Sequence, residues 1–313
     1  FSRLGLSAFV ILGLGTAVQI LAMGVVDRVF PQWMENSWGM WLITFAPLYL
    51  IAVPVGLLLL RKVPAKPLEK HDLKPGRYIV SAIICIFMMY AGNILGTVIT
   101  ALLQLLPGIS AGNPILGYAT DNALLPKVLF MVILAPVIEE YIFRKQLIDR
   151  MHIYGEKVAV ITSALMFGLF HGNLSQLFYA FALGLVFGYV YLKTGKLRYS
   201  IGLHMLINFI GSVVGPFFLE KLAVLDTMET MDMAALEPIL PWLLGFGAYV
   251  LVLIGLAIAG LVLLCINKRR VSFAPAELEL PKESRFRIVY LNVGMILLIL
   301  GCAALIISNV IML

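Results

Sequence analysis

The constraint that dominates this chain is a series of apolar segments long enough to cross a lipid bilayer. A helix needs about 20 apolar residues to span about 30 Å of hydrocarbon at 1.5 Å per residue. Nine segments approach or exceed that length, near residues 4–26, 38–60, 78–106, 124–143, 157–171, 174–192, 199–218, 240–266 and 288–311, the fifth being the short one. Lipid offers no hydrogen-bond partners, so each must satisfy its backbone internally, which a helix does. The sequence therefore predicts an all-α, polytopic integral membrane protein of about eight or nine transmembrane helices, with residues 1–313 as a single domain. At 61% hydrophobic and 13% charged residues, no stretch is left over for a soluble core. The first segment lacks the charged leader and small-residue cleavage site of a signal peptide and is expected to remain as an anchor.

A formal net charge of +6 would suggest nucleic acid in a soluble protein, but the positions of the charges point elsewhere. With the amino terminus on the cytoplasmic side, Arg3 and the segments 61–77, 144–157, 193–198 and 268–287 hold 20 of the 23 basic residues. Arg28, Lys127 and Lys221 fall on the other side, among Asp27, Glu35, Asp121 and an acidic loop from Glu220 to Glu237. That asymmetry is the signature of membrane topology. The expected setting is a bacterial plasma membrane, with the bilayer and a membrane peptide or protein as partners and no nucleic acid; the acidic loop reads as solvated or as a contact for a membrane or cell-wall protein. Three prolines among the charges of Val63–Gly76 mark a linker. Cys85, Cys265 and Cys302 lie in apolar stretches without CxxC spacing, which argues against a disulfide framework or a zinc knuckle. Ala180, Gly184 and Gly188, and separately Gly92 and Gly96, form small-residue ladders suited to close helix packing.

Ionisable side chains at bilayer depth are costly and are functional candidates by default. Glu139 and Glu140 sit near the end of the fourth segment, His171 ends the fifth, and His204 and Asn208 open the seventh. Residues four apart share a helix face and adjacent ones diverge by about 100°. Glu140 is thus spaced to pair with Arg144, as a staple near the membrane interface where the arginine can snorkel, and Glu139 is left to face a cavity. His204 and Asn208 share a face. Pro136, without an N–H, is expected to bend the fourth helix and admit water beside the glutamates. His171 fits less easily: a vertical fifth helix puts it about 20 Å from the cytoplasmic face, deeper than Glu139, unless one of the two helices is tilted or displaced.

Glu139-Glu-x-x-x-Arg144, Phe167-x-x-x-His171 and His204-x-x-x-Asn208, in that order on separate helices, resemble the motifs of the CAAX-protease and bacteriocin-processing family of intramembrane proteases, also called CPBP or Abi, which includes the type II CAAX prenyl endopeptidases. The motif-bearing core covers about residues 124–218. The resemblance implies a glutamic-type intramembrane endopeptidase in which Glu139 and His171 activate a water, His204 and Asn208 stabilise the oxyanion, and Glu140 and Arg144 support the site. A carboxylate withdrawn from bulk water is a better base near neutral pH, and donors on one helix face can meet a tetrahedral intermediate. Glu139, His171 and His204 could instead ligate a divalent metal such as zinc, but no HExxH is present, and a metal-free hydrolysis is the favoured reading. The substrate would be a prenylated or leader peptide or another membrane-associated chain. Two other classes stay open: a non-proteolytic scaffold or regulator, as a partner of a cell-wall enzyme or a peptide-immunity protein, and a proton-coupled transporter, against which the absence of an inverted repeat weighs.

Overall fold

The computed structural model describes residues 1–109, 123–223, 225 and 236–311. Asp121 and most of the expected acidic loop, including Asp226, Glu229 and Asp232, lie outside the described residues. The described chain is helical, without a strand: α1 (Ser2–Val29), α2 (Ser37–Leu58), α3 (Pro75–Leu103), α4 (124–151), α5 (Glu156–Phe170), α6 (Leu174–Thr194), α7 (Leu197–Leu222), α8 (Leu240–Arg270), α9 (Arg285–Tyr290) and α10 (Val293–Ile311). Among the described residues, seven of these helices, α1, α2, α3, α6, α7, α8 and α10, are long and apolar enough to cross a membrane. The protein is a polytopic all-α membrane protein.

The two sequence segments outside those seven are the two that carry Glu139 and His171. Helix α4 is long but loaded with Lys127, Glu139, Glu140, Arg144 and Lys145. Helix α5 has 15 residues and covers only about 22 Å at 1.5 Å per residue, less than the hydrocarbon thickness. The boundary expected at residue 143 also moves, because α4 runs on to Met151 with Arg144 and Asp149 buried inside the bundle. Asp149 can be buried because it accepts hydrogen bonds from Lys145 Nζ at 2.5 Å and the Tyr191 hydroxyl at 2.8 Å. The last apolar segment is interrupted at Leu291 and Asn292, which separate α9 from α10.

Helix α6 is the centre of the bundle. It packs against α5 on one side and α3 on another, and its residues enter both large apolar clusters. Helices α1, α2 and α10 close the first cluster, and α7 and α8 close the second. In lipid, helix association relies on close packing, since the tails are as apolar as the side chains. The small-residue ladders supply it: a Cβ at Gly92 would collide with the backbone of Tyr179, and one at Gly184 would sit 3.0 Å from Ala164 Cα.

One end of the bundle gathers the basic loops. Lys66 N donates to Asp149 O at 2.7 Å and Lys66 Nζ pairs with Glu277 at 2.5 Å. His71 N donates to Thr194 O at 2.8 Å, Asp72 accepts from Lys196 and Arg198 at 2.7 and 2.6 Å, and Lys193 pairs with Glu156 at 2.6 Å. The Phe1 ring lies 5.5 Å from that of Tyr154. The proline-bearing linker is thus docked along its length, and the segments expected on the cytoplasmic side do share one side.

Candidate active site

The local structure around the glutamates begins with Pro136. Residues Val128–Leu134 wind as a π-helix, and Ala135 N donates to the carbonyl of Phe130, five residues back. In that register the next donor, for the carbonyl of Met131, would be residue 136, and proline has no N–H. Asn208 Nδ2 fills the gap, donating to Met131 O at 2.8 Å. A second π segment, Tyr141–Gln146, follows the glutamates directly, so Glu139 and Glu140 occupy a short α-helical piece between two widened turns. Such insertions are frequent at functional sites.

Glu140 and Arg144 form the expected pair, with Arg144 Nε 3.1 Å from Glu140 Oε2. They are not an interfacial staple, however: both side chains are fully buried and the arginine has no route to water. Arg144 Nη1 donates to Ser163 Oγ at 2.9 Å, and that hydroxyl donates onward to Phe143 O at 2.6 Å. The guanidinium carbon lies 4.8 Å from the centroid of the Phe167 ring, a cation–π distance. The other oxygen of Glu140 accepts from His204 Nδ1 at 3.2 Å. Its charge is therefore matched by Arg144 and spoken for by His204.

Glu139 stands differently. Its side chain is 23% exposed, and its nearest partner is His204 Nε2 at 3.7 Å, beyond hydrogen-bond length. Among the described residues no hydrogen bond ties its carboxylate down. It lies close enough for its charge to act on His171, on Tyr49 of α2 and on Tyr179 of α6. His204 is itself 5% exposed, stacked on Phe187 with centroids 5.1 Å apart and edge-on to Phe167 at 5.6 Å.

His171 closes α5, and the depth conflict is removed by the added length of α4. Glu139 lies about 18 Å along α4 from Met151, and His171 about 22 Å along α5 from Glu156, at 1.5 Å per residue. The two helices meet at the same end through Gly155, so the two groups lie at similar distances along their helices from that turn. His171 Nδ1 lies 2.8 Å from Phe167 O. A carbonyl only accepts, so Nδ1 carries the proton and the neutral ring presents the lone pair of Nε2. Phe167 is edge-on to His171 as well, at 5.0 Å, and spaces the two histidines. The turn that follows is built by Gly172 at φ +64°, by Asn173, whose Nδ2 donates to His171 O at 2.9 Å and whose Oδ1 caps α6 at Gln176 N, and by Asn309 of α10, which donates to Gly172 O at 2.9 Å.

The structure thus brings Glu139, Glu140, Arg144, His171 and His204 to one site and sets Asn208 further along α4, with one amide hydrogen committed to Met131. Sequence reasoning missed Ser163, Asn173, Tyr49, Tyr179 and Asn309. Of these only Asn173 had a legible signal, the Asn-x-x-Gln pattern of a helix start. Among the described residues, no three histidine, cysteine or carboxylate side chains converge in a ready metal-binding set; His204 Nδ1 is held by Glu140 and His171 stands off from Glu139.

Residues 121–210, which contain all seven motif residues, match the family of Rce1-like type II CAAX prenyl endopeptidases. The chain is also 32% identical over 88 residues to the membrane-embedded CAAX protease MroQ of Staphylococcus aureus, across 26% of this chain and 36% of that relative. The match therefore spans about a third of the relative's length. No solved structure matches the chain.

Proposed function

Residues 121–210 match the Rce1-like CAAX prenyl endopeptidases, and from that match we propose that this protein is an intramembrane endopeptidase that hydrolyses a peptide bond of a membrane-associated substrate with a Glu139-activated water. The observation that carries the reading is the inequality of the two glutamates. Glu140 is paired with Arg144 at hydrogen-bond distance, whereas the Glu139 carboxylate, with no hydrogen bond among the described residues, faces the shared space beside one histidine that donates and another that presents a lone pair.

The chemistry follows from those positions. Glu139 takes a proton from water as its oxygen attacks the scissile carbonyl, and His171 Nε2 accepts the second water hydrogen and orients the nucleophile. In its imidazolium form His204 keeps Nδ1–H on Glu140 and offers Nε2–H to the developing oxyanion, whereas Asn208, committed to Met131 O, acts by holding α4 and α7 together. The proton on Glu139 then passes to the leaving nitrogen as the C–N bond breaks, and the second water hydrogen, held toward His171 on the new carboxyl group, follows it to the amine, giving a carboxylate and an ammonium as products and returning Glu139 to its carboxylate form. The substrate class is a prenylated or leader peptide anchored in the same bilayer. The proposed mechanism is metal-free: Glu139, His171 and His204 act through protons and hydrogen bonds.

The test is cleavage of a membrane peptide by purified protein. Glu139→Ala is expected to lower kcat by at least about a hundredfold, the usual contribution of a positioned base, while exhaustive dialysis against chelator leaves the wild-type rate unchanged. A wild-type rate in Glu139→Ala rules the assignment out, and a chelator-sensitive rate restored by zinc replaces the metal-free step.

A further inference from the structure

Away from the glutamates, between the end of α2 and the last turns of α4, the surface holds a recess of about 360 Å³. Its polar wall is Arg61, Arg150, Gln146 and Tyr141, and its apolar wall includes Leu57 and Leu58. The two arginines have no carboxylate between them. Arg150 is held by neutral acceptors only: Nη1 donates to Gln146 O and Oε1 at 2.9 and 2.8 Å, Nε to Val63 O at 3.2 Å and Nη2 to Leu60 O at 3.4 Å. Its sequence neighbour Asp149 is turned inward to Lys145 and Tyr191. Arg61 is exposed; its backbone N donates to Leu58 O at 3.2 Å, and among the described residues no hydrogen bond or ion pair involves its guanidinium.

Two guanidinium groups in a recess with no carboxylate in its lining, beside a phenol and an amide, make a phosphate-binding chemistry: the unbonded fork of Arg61 matches two phosphate oxygens, and Arg150, held in place by its four hydrogen bonds, adds its charge and its remaining Nη2 hydrogen. The position of the recess identifies the source. It lies where the membrane-crossing stretch of α2 ends at Leu58, which is 48% exposed on the outer face of the bundle. Below the arginines the wall is therefore an apolar surface turned to lipid, and above them are the basic loops. We propose that this recess binds the phosphodiester of an anionic phospholipid, with Arg61 and Arg150 on the phosphate oxygens, Tyr141 and Gln146 as further polar contacts, and the first acyl carbons along Leu57 and Leu58. The lipid is a bound component fixed to α2 and α4, so it braces the helix that carries the glutamates.

The experiment is a titration of the purified protein in zwitterionic detergent with phosphatidylglycerol and, separately, phosphatidylcholine, followed by native mass spectrometry. One saturable phosphatidylglycerol site is expected. Arg61→Gln, at an exposed position with an unbonded side chain, should weaken it by about fivefold or more, the loss of roughly 1 kcal/mol that one arginine contributes near a charged lipid surface. Arg269→Gln, a basic residue on the same end but outside the recess, should leave it unchanged. Equal binding of the two lipids, an unaltered affinity in Arg61→Gln or an equal loss in Arg269→Gln overturns the proposal. Displacement of the lipid by a peptide with a free carboxyl terminus, but not by its amide, overturns it in favour of a peptide carboxylate as the occupant.

Discussion

Removing Arg144 strands Glu140 as a fully buried carboxylate, and breaking a buried ion pair from one side costs about 3–5 kcal/mol. Arg144→Ala is therefore expected to unfold at markedly lower temperature in detergent than the wild type. Adding Glu140→Gln, which removes the stranded charge, should recover a large part of the loss; if the double variant is as unstable as the single one, the charge balance is not what the pair provides. Arg144→Lys keeps the charge but cannot reach both Glu140 and Ser163 through one planar fork. The pairing of these residues was legible from their four-residue spacing, and so was the separate outlook of Glu139. Their depth was not, because a sequence read for apolar length ends the helix at the first charges, whereas Ser163, Phe167 and His204 from three other places in the chain are what allow α4 to carry Arg144 on into the bundle.

Helix α4 owes its shape to one missing hydrogen. With Pro136 in the register set by the π turn, the Met131 carbonyl has no backbone donor, and Asn208 supplies one. Asn208→Ala leaves a carbonyl unpaired in an apolar setting, a cost of about 1–3 kcal/mol. Pro136→Ala restores an N–H at the position the carbonyl faces. The stability cost of Asn208→Ala, measured by thermal unfolding, should therefore be smaller in the Pro136→Ala background than in the wild type; the same cost in both backgrounds would mean that Asn208 does not act through this carbonyl. That Pro136 withholds a backbone donor was readable from the proline alone. That the asparagine four residues after His204 supplies the missing donor was not, since spacing along α7 shows that the two side chains share a face and says nothing of what α4 presents to it. The short α5 has a similar history: its length was visible in the sequence, but the reach of His171 depended on where α4 ends.

At the scale of the whole molecule, the segments 61–74, 152–157, 193–198 and 268–287 meet at one end, joined by pairs such as Lys66–Glu277, Lys193–Glu156 and Lys196–Asp72. Charge counting along the sequence had grouped the same segments, because short loops rich in lysine and arginine stay on the cytoplasmic side. Shared side and absolute side are different statements, and only the second needs the membrane potential and the insertion machinery. The excess of basic residues at this end predicts that it is the cytoplasmic one. In a variant with Cys85, Cys265 and Cys302 replaced by serine or alanine, a single cysteine at Lys70 should react with a membrane-impermeant maleimide only after the membrane is opened, and one at Arg28, at the far end of α1, should react in intact spheroplasts. The reverse pattern would invert the molecule, and Glu139, His171 and the arginine recess would then face the opposite leaflet with their mutual geometry unchanged. Cleavage by purified protein in detergent would be the same in either orientation, so the labelling result decides from which side a tethered peptide must approach.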